Sequence, residues 1–280
     1  MADNAPTPTP RVTVPQVRAR KRSRGDQPLV MLTAYDTPGA RIADAAGVDI
    51  ILVGDTLASV VLGHPDTLQV DTGIMAHHVA AVARARPRAL VVGDMPWLSY
   101  HLSAEDAVRN AAVLIRAGAE AVKLEGGRVR LEVIEALLNA EIPVMGHLGL
   151  TPQSVHAMGG YRVQARDTAA AEGLMNDAKA IAAAGCFSIV LEGVPDVVAG
   201  RVTEGVDVPT IGIGAGADCD GQVLVFHDLL GLTEGPTAKF VRQYADLTSV
   251  AVTAVSSWAA DVRGGAFPSD AETYHQPRQP

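Results

Sequence analysis

Three stretches of the chain align without a gap: AGVDIILVGD (46–55), AGAEAVKLEG (117–126) and AGCFSIVLEG (184–193). Each opens on Ala-Gly, continues through an apolar run, and finishes with a carboxylate beside a glycine. A glycine there closes a helix, because it accepts the left-handed conformation that other residues resist. The apolar run that follows has the length of a strand buried on both faces. Each stretch is therefore a helix end feeding a strand. Weaker copies fill the gaps: LVMLTAYD (29–36), ALVVGDMP (89–96), IPVMGHLG (142–149), PTIGIGAG (209–216) and QVLVFHDLLG (222–231) bring the strand candidates to eight.

Between them lie helical stretches rich in Ala, Leu and Arg, at 103–118, 128–140 and 168–185. The first opens on a capping pattern, Ser103 with Asp106, and sets Ala107, Ala111, Val113 and Leu114 broadly on one side. Strands alternating with helices imply parallel strands, and eight such units most simply close into a (β/α)8 barrel of the TIM type. A doubly wound open sheet competes, but no GxGxxG fingerprint follows the first strand. The expected organisation is a flexible basic arm over residues 1–27, a catalytic barrel over 28–268 and a loose C-terminal tail over 269–280.

The bulk numbers agree with one large α/β domain. Of 280 residues, 48% are hydrophobic and only 4% aromatic, so the core is built mainly from Ala, Val, Leu and Ile. A net charge of −8 argues against nucleic-acid binding, despite the short basic run RARKRSR (18–24). Two cysteines, Cys186 and Cys219, make neither a disulfide framework nor a CxxC metal site. Such sparse usage suits a reducing cytoplasm. No apolar stretch reaches the roughly 18 residues of a membrane helix, and no signal-peptide pattern opens the chain.

In AVKLEGG (121–127), Lys123 and Glu125 share one face of a strand, with Val122 and Leu124 on the other. Charges of both signs inside a buried strand are costly unless the site needs them. In a barrel of this type the C-terminal strand ends form the active-site floor. Collected there are Asp55, Asp94, Lys123, Glu125, His147 and Glu192. Asp55, Asp94 and Glu125 end strands two, three and four, which are neighbours. One such Asp alone is better read as a helix cap; three on consecutive strands favour a hard divalent cation. An all-oxygen set points to Mg²⁺ or Mn²⁺ rather than zinc.

Lys123, two residues inward of Glu125, suits an anionic substrate better than a solvent-reaching lysine. His147 is open between a hydrogen-bonded barrel histidine and a substrate contact. Glu192 follows Val190 and Leu191 and precedes Gly193, apolar surroundings that make a carboxylate more basic. It is the candidate for proton abstraction next to a carbonyl. The glycines of IGIGAGAD (211–218) fit a phosphate cradle or, equally, a tight turn, since GK[ST] is absent. His77 and His78 read as packing residues, and His64 sits on the loop after strand two.

These strings resemble the ketopantoate hydroxymethyltransferase family over residues 28 to about 268. The resemblance rests on MLTAYD, LVGDTLASVVLGHPDTLQV, AVKLEGG, GHLGLTPQSVHAMGGYRVQAR, VLEGVP and IGIGAGADCDGQVLVFHDLLG. It implies a (β/α)8 barrel holding a divalent metal, usually Mg²⁺. It also implies transfer of a one-carbon unit from 5,10-methylenetetrahydrofolate to α-ketoisovalerate (3-methyl-2-oxobutanoate), giving ketopantoate for pantothenate. By that resemblance Asp55, Asp94 and Glu125 serve the metal, while Asp55, Thr56, Asp94 and Lys123 contact the keto acid, assisted by His147. Glu192 accepts the proton. Thr56 replaces the serine common in the family and keeps its hydroxyl. A homodecamer of two pentameric rings is implied in the same way, whereas no folate-binding motif is visible.

Three other readings compete. A Mg²⁺-dependent C–C lyase or mutase of the phosphoenolpyruvate mutase and isocitrate lyase superfamily would usually carry a cysteine in a KKCGH-like loop, which is missing. A metabolite-binding barrel without catalysis would leave Lys123 and Glu192 idle. A nucleic-acid module would rest on the basic run alone.

Overall fold

In the computed structural model, which describes residues 10–21, 27–235 and 237–276, eight parallel strands close into one barrel in sequence order. They are β1 (Leu29–Thr33), β2 (Ile50–Val53), β3 (Leu90–Asp94), β4 (Ala121–Glu125), β5 (Val144–Gly149), β6 (Ser188–Glu192), β7 (Thr210–Ile213) and β8 (Gly221–Leu224). The barrel closes where Leu29 of β1 pairs with Gly221 of β8. Helices follow in chain order: α1 (Val14–Arg18), α2 (Thr37–Ala45), α3 (Leu57–Val60), α4 (Thr72–Ala83), α5 (Ala104–Ala117) and α6 (Leu131–Asn139). After them come α7 (Val155–Met158), α8 (Thr168–Ala184), α9 (Asp196–Gly205), α10 (Phe226–Leu230) and α11 (Leu247–Gly264).

The repeated Ala-Gly does what its chemistry requires. Gly118 and Gly185 close α5 and α8 with φ of 113°, and Gly47 turns the chain after α2 with φ of 81°. Ser103 caps α5 by accepting the Asp106 N–H at 3.1 Å. Ala107, Ala111 and Leu114 are buried beneath that helix, but Val113 is 39% exposed, one position off the buried stripe.

The barrel interior is filled by Met31, Ile50, Leu52, Leu90, Val92, Ala121, Met145, Val190, Ile211 and Val223. Lys123 and Glu125 share the parity of Ala121, as Asp94 shares that of Val92, His147 that of Met145 and Glu192 that of Val190. The same inward face is therefore apolar low in the barrel and charged at its C-terminal rim.

The basic arm departs from expectation over residues 10–21. Val17 is fully buried in the barrel core, with Val12 and Val14 packed against it. Thr13 and Gln16 cap α1 reciprocally, and the Val12 N–H donates to the Arg88 carbonyl at 2.8 Å. Lys21 pairs with buried Asp220 at 2.9 Å. Apolar burial thus ties this segment to the barrel, while residues 1–9 and 22–26 of the expected arm lie outside the described residues.

Toward the C-terminus the expected catalytic span, 28–268, contains two compact units. One compact unit ends at Phe226, and a second begins at His227. Within the second, α11 is capped by Asp246, which accepts the Ser249 N–H at 3.0 Å, yet none of its residues is buried. In the expected tail, Ser269 and Glu272 form a capping box around a single turn, Asp270–Glu272. Among the described residues no helix is long and apolar enough to cross a membrane.

Candidate active site

Strand register brings the rim residues together. Asp94 is the register partner of Lys123, Glu125 of His147, and Gly149 of Glu192. Asp55 lies two residues beyond β2 and is reached from β3, since its N–H donates to Asp94 Oδ2 at 3.2 Å. Asp55, Asp94, Lys123, Glu125 and His147 are all buried, whereas the Glu192 side chain keeps 17% exposure.

Lys123 Nζ forms an ion pair with Asp94 Oδ1 at 2.8 Å and lies 3.3 Å from His147 Nδ1. Burial lowers the basicity of this lysine, but Asp94, Glu125 and Asp55 together outweigh it and hold the ammonium protonated. The imidazole bridges two carboxylates: Nδ1 is 3.4 Å from Glu125 Oε1 and Nε2 is 3.2 Å from Glu192 Oε2. Burial and Lys123 both lower its pKa, yet hydrogen bonds to Glu125 and Glu192 lift it to about 9. The two carboxylates thus favour the protonated imidazole. Glu192 does not have the purely apolar surroundings expected of it, since His147 holds its carboxylate.

Asp55 is pushed well above the ordinary carboxylate range, first by burial and then by Asp94 and Glu125. Asp94 is raised by burial against the lowering effect of Lys123. Burial is the first cause of both shifts, and beside it four carboxylates (Asp55, Asp94, Glu125, Glu192) share the rim with two basic side chains (Lys123, His147). A surplus of carboxylates in a buried site is the donor chemistry of a hard divalent cation. Glu125 Oε1 meets only the His147 imidazole, at 3.4 Å. Among the described residues, no three His, Cys, Asp or Glu side chains stand as a ready-made ligand set. Asp94 is turned to Lys123, and Asp55 Oδ2 accepts the Gln153 amide at 2.9 Å.

Two residues of the cluster carried no sequence signal. Gln153, just past β5, is 4% exposed and contacts both Asp55 and Glu125. Tyr100, on the segment between β3 and α5, is 1% exposed and reaches Glu125 and Gln153 with its hydroxyl. A glutamine after a proline and a tyrosine before a helix are ordinary loop residues, and only the closed barrel unites them.

Of the remaining candidates, Thr56 places its hydroxyl 2.8 Å from the Tyr35 hydroxyl. His78 Nδ1 is 2.7 Å from the Tyr35 carbonyl, a packing contact as expected. His64 is half-buried on the loop after α3. Gly214 and Gly216 turn the chain with φ of 61° and 78°, which accounts for the glycines of IGIGAGAD. Cys186 is buried and its thiol pushed up to about 12 by that burial, so it is inert packing. Gly149, with φ of 93°, lets β5 meet β6: a side chain there would collide with the Glu192 carbonyl, which accepts the Leu150 N–H at 2.8 Å.

The charge state of His147 has a measurable consequence. Its folded pKa of about 9 lies above the ordinary 6.5, so the native state binds more protons between those values. Its contribution to stability is fully present below about 6.5 and is lost as pH rises through about 9. The raised Asp55 and Asp94 act in the same direction. Metal-free protein should lose on the order of 3 kcal/mol of folding stability across that window by proton linkage. Denaturant unfolding at stepped pH measures it; a flat profile would mean that His147 is neutral.

The comparisons follow the same lines. The ketopantoate hydroxymethyltransferase family model matches residues 11–270. The chain is 54% identical over 279 residues to 3-methyl-2-oxobutanoate hydroxymethyltransferase 2 of Bradyrhizobium diazoefficiens, covering 100% of this chain and 94% of that one. It is 56% identical over 250 residues to the 3-methyl-2-oxobutanoate hydroxymethyltransferase of Ignicoccus hospitalis, covering 89% and 95%. Among solved structures, phosphoenolpyruvate phosphomutase from Streptomyces platensis subsp. rosaceus superposes with a TM-score of 0.58 at 17% identity, covering 90% and 88%. At that identity the last likeness concerns the fold.

Proposed function

The chain belongs to the ketopantoate hydroxymethyltransferase family and is an enzyme of one-carbon transfer; we propose that it makes ketopantoate from α-ketoisovalerate and 5,10-methylenetetrahydrofolate, in pantothenate biosynthesis. The observation that carries the reading is a buried cluster of carboxylates beside a lysine held as a cation, with a partly exposed glutamate across the rim.

Asp55, Asp94 and Glu125 would hold a divalent cation, Mg²⁺ or Mn²⁺, which when bound supplies electrophilic polarisation of the keto acid. The Lys123 ammonium faces the same pocket and offsets negative charge that develops on the substrate oxygen. Thr56 and the backbone N–H groups after β2 receive the substrate carboxylate. His147 grips Glu192 through Oε2 and fixes the direction of its other oxygen, which takes the proton from the carbon next to the carbonyl. Water adds to the methylene carbon of the folate and tetrahydrofolate leaves, which frees the one-carbon unit as an aldehyde. The deprotonated carbon then adds to that aldehyde carbon, whose oxygen takes up a proton and becomes the new hydroxyl.

Family membership also carries the proposals of a homodecamer and of a cytoplasmic location, the latter in keeping with a sequence that has only two cysteines. The lyase or mutase reading keeps only the fold in common. Proton NMR of α-ketoisovalerate in D₂O, with protein and Mg²⁺, tests the chemistry: the β-proton should exchange with metal and not without it. Adding methylenetetrahydrofolate should yield ketopantoate. Absence of exchange in folded, metal-loaded protein would sink the assignment.

A further inference from the structure

We infer that Gln153 is a positioning residue for the metal-binding carboxylates, with its side-chain amide held in one orientation by Tyr100; this rests on the reading just given. The argument is one of proton direction. The Glu125 backbone N–H can only donate, and it meets the Tyr100 hydroxyl at 3.2 Å. Tyr100 accepts there, so its own proton goes to Gln153 Oε1, 2.6 Å away. An amide whose oxygen accepts must aim both protons of its nitrogen elsewhere. They go to the Met95 carbonyl and to Asp55 Oδ2, each at 2.9 Å. The backbone N–H of Gln153 meanwhile donates to Glu125 Oε2 at 3.1 Å.

The reversed amide fails on every count. Its oxygen would face the Met95 carbonyl and the Asp55 carboxylate, and its nitrogen would face the tyrosine proton. All of this is buried, where unpaired polar contacts are most costly. One residue thus fixes one oxygen each of Asp55 and Glu125, while Glu125 Oε1 is left to the His147 imidazole at 3.4 Å. It also links the C-terminal ends of β2, β3 and β4, where the three carboxylates sit, through Asp55, the Met95 carbonyl and Glu125. An apolar side chain of similar size would fill the volume equally well, so the amide is needed for alignment and not for packing. Residues that orient metal-binding groups are typically worth about 10- to 100-fold in metal affinity.

The test is binding of Mn²⁺ alone, followed by the paramagnetic resonance signal of the free ion, in wild type, Gln153→Leu, Tyr100→Phe and the double variant. Gln153→Leu should bind Mn²⁺ about 10- to 100-fold more weakly, and Tyr100→Phe should fall between it and wild type. Because Tyr100 acts largely through Gln153, the double variant should be no more than about threefold weaker than Gln153→Leu. Unchanged affinity in folded Gln153→Leu, or effects that multiply, overturns the inference while the reaction stands. If Gln153→Leu does not fold, Tyr100→Phe decides: it removes one oxygen, and affinity within twofold of wild type overturns the inference. A wild type that neither binds Mn²⁺ nor exchanges the keto-acid proton removes the functional reading itself, and this inference with it.

Discussion

Glu192→Gln should abolish most of the β-proton exchange of α-ketoisovalerate, by about 10²- to 10⁴-fold, the usual worth of a positioned general base. The substitution keeps shape and leaves an oxygen to accept from His147 Nε2, now 3.2 Å from the carboxylate. An amide cannot take up the substrate proton. The three carboxylates on β2, β3 and β4 are untouched, so Mn²⁺ affinity should stay within a few-fold of wild type. One side effect is built in: with the Glu192 charge gone, His147 loses one of the two partners that raise it and becomes easier to deprotonate. NMR exchange in D₂O, run beside a Mn²⁺ titration, separates the outcomes. Exchange at the wild-type rate would place the base elsewhere; loss of both exchange and metal binding would mean that Glu192 supports the cation site.

Lys123→Met should lose both stability and turnover. Methionine replaces the stem but not the ammonium, and Asp94 Oδ1 loses a partner at 2.8 Å inside the barrel. Removing one member of a buried ion pair typically costs about 3–5 kcal/mol, because the remaining charge is left unpaired. Here four carboxylates would then face His147 alone. Denaturant unfolding of the metal-free variant measures the loss, and millimolar Mg²⁺ should recover part of it by mass action. Turnover should fall by about 10²- to 10³-fold even with saturating metal, the usual effect of deleting a charge aimed at a developing oxyanion. If the metal-free variant were as stable as wild type, one of the neighbouring carboxylates would have to be protonated in the native state.

The barrel was legible in the sequence because its cause is local. Gly47, Gly118 and Gly185 mark helix ends by a conformation only glycine adopts freely, and the strands between are apolar on both faces. The rim carboxylates were legible for a related reason: a charge at the end of such a strand has few structural uses. What depended on the closed ring was hidden. The pairing of His147 with Glu192 joins residues 45 positions apart and replaced the apolar environment suggested by Val190 and Leu191. Gln153 and Tyr100 acquire their role from partners on other strands. The arm misled because its basic and Pro/Thr composition masks Val12, Val14 and Val17, too few for a periodic signal yet enough to reach the core. The boundary at Phe226 was likewise invisible, since the sequence of α11 gives no sign of whether a helix is covered.

The attachment of α1 beneath the barrel bears on the order in which the molecule can be completed during synthesis. Lys21 leaves the ribosome well before its partner Asp220, which follows 199 positions later. The seam between β1 and β8 has the same delay, because Leu29 waits for Gly221. Until then Val17 has only part of its final surroundings, and joining such distant segments is entropically expensive and slow. A nascent chain halted before residue 220 would therefore keep an open seam and a first segment without its Lys21–Asp220 pair. Its exposed apolar edge makes the interval before release the period in which this chain is most vulnerable to aggregation.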